Sequence, residues 1–365
     1  MKVADLSTGI AGAYCSKLLA DAGADVTRVG AHPLEQWRRG ALYAHLAANV
    51  ARSPAAPSDA DAIVWSPGAA STPDELTAEH PDAVVVAISP FGLGTSWSDR
   101  PATEFTLQAW SGAIIGLGRG DPERPPVHVG GQVGEWLAGT YAAIAALAAA
   151  RAGTPGVVDL SMLEVQALCL TYYPVTFHDF FGRPMRKRRA LTLPGVAQAK
   201  DGLVGLGVGT GQQWLDFAAM VGHPEWAEDT GLFTERGALA PAIAEWVGAR
   251  TVDEVRDLAT GFRLPNAPIV DGANVRTFDH LRERVGRPPV RWTPTGSAPL
   301  SVARSGSPRP LADVRVLDMT AYWAGPSASH VVAMLGADVI HVESAKRPDG
   351  ARLVGAPKDL ERGPI

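Results

Sequence analysis

Residues 3–30, VADLSTGIAGAYCSKLLADAGADVTRVG, align without a gap to residues 316–343, VLDMTAYWAGPSASHVVAMLGADVIHVE, at an offset of 313. The segments share Val, Asp, Ala-Gly, Ser, Ala, Gly-Ala-Asp-Val and a last Val, a match that points to internal duplication. Each copy has the pattern of a strand, a turn, a helix and a second strand. In the first copy Val3–Leu6 is the strand, Ala11-Gly12 a small-residue turn, Tyr14–Ala22 the helix and Val26–Val29 the next strand. One nearly whole unit and the opening of a second are therefore expected on one chain.

Strand-like runs recur at Ala62–Trp65, Ala83–Ile88 and Val157–Leu160, with helical patterns between them. That alternation favours a mostly parallel sheet with helices on both faces. Amphipathic stretches at Gln212–Val221, Leu239–Ala249 and Val252–Ala259 predict a second, smaller domain, and SVARSGSPRP (301–310) reads as a linker. At 365 residues the chain is too long for one compact core. Hydrophobic content of 46% with 19% charge is that of a globular protein, and a net charge of −5 gives no footprint for nucleic acid. Cys15 and Cys169 sit in apolar helical patterns without CxxC spacing, so packed, reduced thiols and a cytoplasmic location are expected. The start MKVADLSTG lacks a signal-peptide pattern, and Leu137–Ala150 reads as a buried helix too short for a bilayer. The nine histidines lack metal-ligand spacing, and no GxSxG elbow or Walker loop occurs.

Five further segments carry a resemblance. SPFGLGTSW (89–97) follows a strand, LQAWSGAIIGLG (107–118) and GEWLAGTYAAIAAL (134–147) are helical, VVDLSMLEVQAL (157–168) is a strand–helix step, and DGLVGLGVGTGQQWLDF (201–217) precedes WAEDTGLF (226–233). With the strand–AG–helix–GADV–strand signature they resemble, in order and spacing across residues 3–300, the class III CoA-transferase family. That family includes formyl-CoA and carnitine CoA-transferases and the α-methylacyl-CoA racemases. The resemblance implies an α/β fold: a large domain with a Rossmann-like, mostly parallel sheet, and a smaller α+β domain, in an interlocked dimer. The segments expected are 1–190 as the large CoA-binding domain, 191–300 as the small domain with its return strand (RPPVRWTPTG, 287–296), 301–312 as linker and 313–365 as the second copy's start.

The family's nucleophile is an aspartate opening a helix after a Gly-rich segment; the matching residue here is Glu135. Two readings of it compete. In one, Glu135 replaces the aspartate in a pocket re-shaped for a longer side chain. In the other, this half has lost its chemistry and Glu135 is an acidic residue favoured in a helix's first turn. By resemblance, Ile10, Ala11 and Gly12 would offer backbone N–H groups to CoA. Trp65, Ser66 and Pro67 would form the adenine-side loop, and Phe105, Thr106, Leu107 and Gln108 would line the pantetheine. Arg28, Arg38 and Arg39 are candidates for the family's phosphate arginine, with ordinary surface charges as the alternative. Arg186–Arg189 is either a solvated loop or a further phosphate contact. GLGVGTG (205–211) misses GxGxxG spacing and reads as a lid by resemblance or as a strand and turn. Trp136, Tyr172, Tyr173 and Phe177 would form an aromatic wall suited to a bulky acyl group, or simply core.

These features imply an enzyme that moves CoA between an acyl-CoA and a carboxylic acid through a covalent carboxylate intermediate. CoA and acyl-CoA would be substrates, with no permanently bound cofactor. The expected partners are those small molecules and a second subunit (or the paired second copy), with neither nucleic acid nor membrane. A non-catalytic CoA-binding half is the first alternative. An acyl-CoA racemase or isomerase is the second, weakened by Thr103-Glu104 where the family's racemases carry a histidine. The chain departs from the family pattern in the short 30–62 segment and in Gly30, where a glutamate is usual and where the second copy has Glu343.

Overall fold

The computed structural model describes residues 1–31, 40–116, 125, 127–170, 194–208, 211–228, 236–284, 307–346 and 349. These divide into two compact units, one holding the described residues of 1–116, 125–170 and 307–349, the other those of 194–284.

The larger unit is built on a six-stranded sheet in the order β3-β2-β1-β4-β5-β6. The strands are β1 (Lys2–Asp5), β2 (Asp25–Val29), β3 (Ala51–Ser53), β4 (Ala62–Trp65), β5 (Val84–Ser89) and β6 (Gly156–Ser161), and every described pairing is parallel. All six residues of β5, VVVAIS, are buried, as a strand covered on both faces requires. Each buried valine there is worth about 1.5–3 kcal/mol. Helices α1 (Ile10–Asp21), α5 (Val133–Ala152) and α6 (Met162–Leu170) join one core with Val3, Val64, Val86 and Ile88. On the other face α3 (Pro73–Glu79) supplies Leu76 to a second core with Ile63 and Val85. The helices α2 (Ala41–Leu46) and α4 (Glu104–Trp110) are short.

Two expectations are corrected here. Ala11-Gly12 is the first turn of α1 rather than a turn before it, with Gly9 as N-cap. A Cβ on Gly12 would lie 2.0 Å from the Ser7 Cβ, so the small residues mark a close approach. The apolar helix is 20 residues long, and by length and composition alone could cross a bilayer. It is only partly buried. Ala138, Gly139, Ala142, Ala143 and Ala146 form its inward stripe, while Leu147 is 47% exposed. Gly139 fits that stripe because a Cβ would lie 2.5 Å from the Ala11 carbonyl oxygen of α1.

The same unit holds β10 (Arg315–Asp318), α11 (Ala324–Met334) and β11 (Asp338–His341). β10 and β11 pair in parallel with Arg315 opposite Asp338, which is the Lys2–Asp25 register of β1 and β2 displaced by the offset seen in the sequence. A Cβ on Gly325 would lie 2.2 Å from Thr320, as on Gly12 it would meet Ser7. Asp318 accepts from the Thr320 N–H and hydroxyl, as Asp5 does from Ser7. Arg151 at the end of α5 donates to the Pro310 carbonyl and to both carboxylate oxygens of Asp313.

The smaller unit carries the antiparallel sheet β7 (Gly195–Gln198), β8 (Leu203–Leu206) and β9 (Asn266–Pro268). Helices α7 (Gly211–Val221), α8 (Ala240–Gly248) and α9 (Val252–Gly261) form a core with it around Trp214, Phe217 and Ile243, and a short α10 (Asp279–Arg284) follows. Thr251 caps α9 through a reciprocal bond with Glu254. Of GLGVGTG, 205–206 end β8 and 211 begins α7; 209–210 lie outside the described residues, as do Arg38, Arg39, Arg186–Arg189, Tyr172, Tyr173, Phe177 and 287–296.

Candidate active site

The loops after β1 and β4 meet where the sheet's winding reverses, at the carboxyl ends of its strands. Ser66 Oγ accepts from the Thr8 N–H at 2.7 Å, and the Thr8 hydroxyl donates to the Pro67 carbonyl at 2.7 Å. A crevice at that place is where open parallel sheets bind ligands. Trp65 itself is buried, its indole N–H donating to the Ser71 carbonyl.

Glu135 stands in the first turn of α5, whose N-cap Gln132 is left-handed at φ 58°. Its side chain crosses to α1, where Oε2 accepts from the Ala11 N–H at 2.8 Å. A Cβ on Gly9 would come within 3.2 Å of that oxygen, so glycine leaves the carboxylate its seat. Burial, the largest influence, raises the Glu135 carboxyl above the ordinary range. The Ala11 N–H opposes this, the Glu104 charge adds to it, and the Ile10 N–H opposes it again. The amides of the helix N-terminus favour the charged form of such a half-buried carboxylate, while burial opposes it and keeps it poorly hydrated. Trp136 meets the Tyr14 ring edge-on at 4.6 Å and ties its indole N–H to the Gly131 carbonyl at 2.8 Å.

The structure thus brings Glu135 together with Ile10 and Ala11 but not Gly12, which packs on Ser7, and the N–H of Ala11 goes to the carboxylate and not to open solvent. Gln108 and Leu107 are buried in the core, Thr106 closes the α4 capping box with Thr103, and Phe105 is exposed against His128. Gln108 is a brace, accepting from the Val129 N–H at 2.9 Å and donating to the Val129 carbonyl at 2.9 Å. Arg28 is not a surface charge. It lies buried and pairs with Asp5 at 2.9 Å. Cys15 is buried and free, its thiol raised by burial, and Cys169 is also free. Among the described residues no group of histidine, cysteine and carboxylate side chains could hold a metal.

Sequence reasoning missed Glu104 as a member of this site. It is buried, and its Oε1 accepts from the Gly134 N–H at 2.8 Å and from Gln108 Nε2 at 2.7 Å. The available signal was a glutamate and a glutamine four apart, on the same helix face as the core residue Leu107.

The model of CoA-transferase family III matches residues 1–55, 69–299 and 311–364. The chain belongs to that family, whose curated relatives are named as enzymes. It is 27% identical over 335 residues to the succinyl-CoA–D-citramalate CoA-transferase of Chloroflexus aurantiacus, covering 78% of this chain and 81% of that one. It is 26% identical over 334 residues to a probable CoA-transferase of Mycobacterium tuberculosis, covering 76% of this chain but 41% of that relative's length. A CAIB/BAIF family protein from Brucella suis shares the fold, with a TM-score of 0.64 at 20% identity over 80% of this chain and 92% of that one.

Proposed function

We propose that this chain transfers CoA from an acyl-CoA to a carboxylic acid with Glu135 as the covalent carboxylate. The observation that carries the reading is the Glu135 carboxylate seated on the N-terminus of α1, next to the loops after β1 and β4. Glu135 attacks the thioester carbonyl, giving a glutamyl–acyl anhydride and releasing CoA thiolate. The thiolate then attacks the glutamyl carbonyl, freeing the first acid and leaving a glutamyl-CoA thioester. The acceptor carboxylate repeats the two steps in reverse, so thioester energy is kept and no proton or cofactor is consumed. The Ala11 and Ile10 amides would hold the Glu135 oxygen through these steps. CoA is substrate here, not resident cofactor. Ile10–Gly12 and Trp65–Pro67 would flank it, while Phe105–Gln108 would shape the wall behind it. The name of the Chloroflexus relative makes succinyl-CoA the donor to try first.

Several parts of the proposal extend beyond the site. The strand order supports a Rossmann-like large domain at 1–190, with the small domain at 191–300, the linker at 301–312 and a second copy from 313. The shared register and the paired Gly12–Ser7 and Gly325–Thr320 contacts support duplication. We place the protein in the cytoplasm as a homodimer, or with its two copies paired. Mass spectrometry after succinyl-CoA and hydroxylamine should find an adduct on Glu135; full transferase activity in Glu135→Ala sinks the assignment. A non-catalytic CoA-binding half is the second reading, favoured by the Ala11 N–H being taken by Glu135 itself. Micromolar CoA binding in calorimetry without turnover of any acyl-CoA would establish it.

A further inference from the structure

The first turn of a helix leaves its N–H groups without partners along the chain. In α5 the residue just before Glu135 is Gly134, and its N–H is taken by Glu104 Oε1 at 2.8 Å. Gly134 is also pinned from the side of α6, where a Cβ would lie 1.9 Å from Gln166 Nε2. Gln166 is fully buried and stands 3.5 Å from Glu104 Oε2, and Gln108 holds Oε1 at 2.7 Å. A buried carboxylate in such a frame accepts neutral donors only; no described cation pairs with it. Burying a charge without a counter-ion costs several kcal/mol, more than an uncharged hydrogen-bonding residue would need to hold the same turn. A carboxyl stands here where an uncharged hydrogen-bonding side chain could hold the same turn, which points to a task beyond packing.

We propose that Glu104 is a positioning residue of the transferase site, fixing through the Gly134 amide the point from which the Glu135 side chain reaches α1. The proposal rests on Glu135 as the nucleophile. The charge has its own effect: Glu104 is the group acting through space on Glu135, and its negative sign holds that carboxyl higher. The other titratable groups on the elements packed against α5 are Tyr14 and His45 against Trp136, Cys15 on α1 near Gly139, and the exposed Glu164 on α6. A nucleophile whose carboxyl ionises higher is more basic and attacks a thioester faster once ionised. The same Glu104 thus places Glu135 and tunes its strength.

The test uses the full chain as Glu104→Ala and Glu104→Gln, with succinyl-CoA and a carboxylic acid acceptor. Two readouts are taken: kcat and KM against pH, and the Glu135 carboxyl titration by carbon-13 NMR, assigned by difference with Glu135→Gln. Glu104→Ala should lower kcat about 10²-fold, the usual result of a misplacement near 1 Å, with KM for succinyl-CoA changed less than about threefold. Glu104→Gln keeps an acceptor for Gly134, so it should recover kcat to within about tenfold of the parent. Without the charge, Glu135 should titrate at lower pH, and the acid limb of kcat/KM should move down with it. A Glu104→Gln variant in which Glu135 titrates as in the parent overturns the electrostatic part. A Glu104→Ala variant with parental kcat overturns the positioning part. If the parent turns over no acyl-CoA, the transferase reading fails, while the NMR titration still decides whether Glu104 acts on Glu135.

Discussion

Glu135→Asp asks whether the site is built for glutamate or merely inherits one. The Glu135 carboxylate reaches Ala11 N–H at 2.8 Å. Removing one methylene withdraws the oxygens by about one C–C bond, roughly 1.5 Å. The contact would open to more than about 4 Å, beyond any hydrogen bond. A hydrogen bond to a charged group contributes about 1.5–3 kcal/mol. Lost in the transition state, it corresponds to a fall of about 10- to 10²-fold in kcat/KM. The shorter side chain would also leave its oxygens near α5, away from the crevice after β1 and β4. The assay is steady-state transfer from succinyl-CoA, with mass spectrometry of the residue-135 peptide after hydroxylamine in both proteins. A Glu135→Asp variant as active as the parent, or faster, refutes the reasoning. It would mean that the pocket keeps the aspartate geometry of the family and that the reach to Ala11 is incidental.

Gly139→Ala sets a gain of about 1 kcal/mol in helix propensity against overpacking of about 1–3 kcal/mol. Because the new Cβ would sit 2.5 Å from the Ala11 backbone oxygen, which cannot rotate away, the urea midpoint should fall; a rise would show that α1 and α5 part freely. Arg28→Met strands the buried Asp5 carboxylate and should destabilise the larger unit by about 3–5 kcal/mol in thermal melts, with Asp5→Asn/Arg28→Met recovering part of the loss. An unchanged melt for the single variant would mean that the pair is not buried. Arg151→Ala should change stability by less than about 1 kcal/mol yet speed tryptic cleavage at Arg309, because Asp313 is more than half exposed and the bonds to Pro310 and Asp313 act as a tether. Cleavage at the parental rate would remove the tether.

The parallel sheet was legible because buried strands leave a plain mark. Ala62–Trp65 and Ala83–Ile88 are uninterrupted apolar runs, and β4 and β5 lie within a residue of those limits. β3 left none: Ala-Arg-Ser is three residues at the sheet's edge, held by backbone pairing to Thr27–Val29. The start of α1 was misplaced because glycine and alanine favour turns when read locally. Here they occur because Gly12 abuts Ser7 and Gly139 abuts Ala11, contacts that span 5 and 128 residues of chain. Arg28 reads as a surface charge for the same reason. Its partner Asp5 stands directly opposite it in the β1–β2 register, which no local pattern of charges reveals.

The site divides along the same line. Glu135 is a candidate through the resemblance, because it stands where the family's aspartate opens a helix after a Gly-rich segment. That Glu135 reaches the Ile10–Ala11 amides is not legible in the sequence, because the N-terminus of a helix attracts any anion and does not distinguish phosphate from carboxylate. Which anion sits there depends on how far a side chain on α5 extends toward α1, and that is fixed by the small-residue packing between the two helices. In the similar segment at residues 316–343 the corresponding turn is held differently. Tyr322, left-handed at φ 73°, gives its N–H to Asp349 at 2.9 Å, and Asp349 in turn donates its own N–H to Glu343. Two turns with the same residue pattern thus bind two different carboxylates, one 124 residues away along the chain and one 27. The pattern encodes an anion seat, and the packing around it selects the anion.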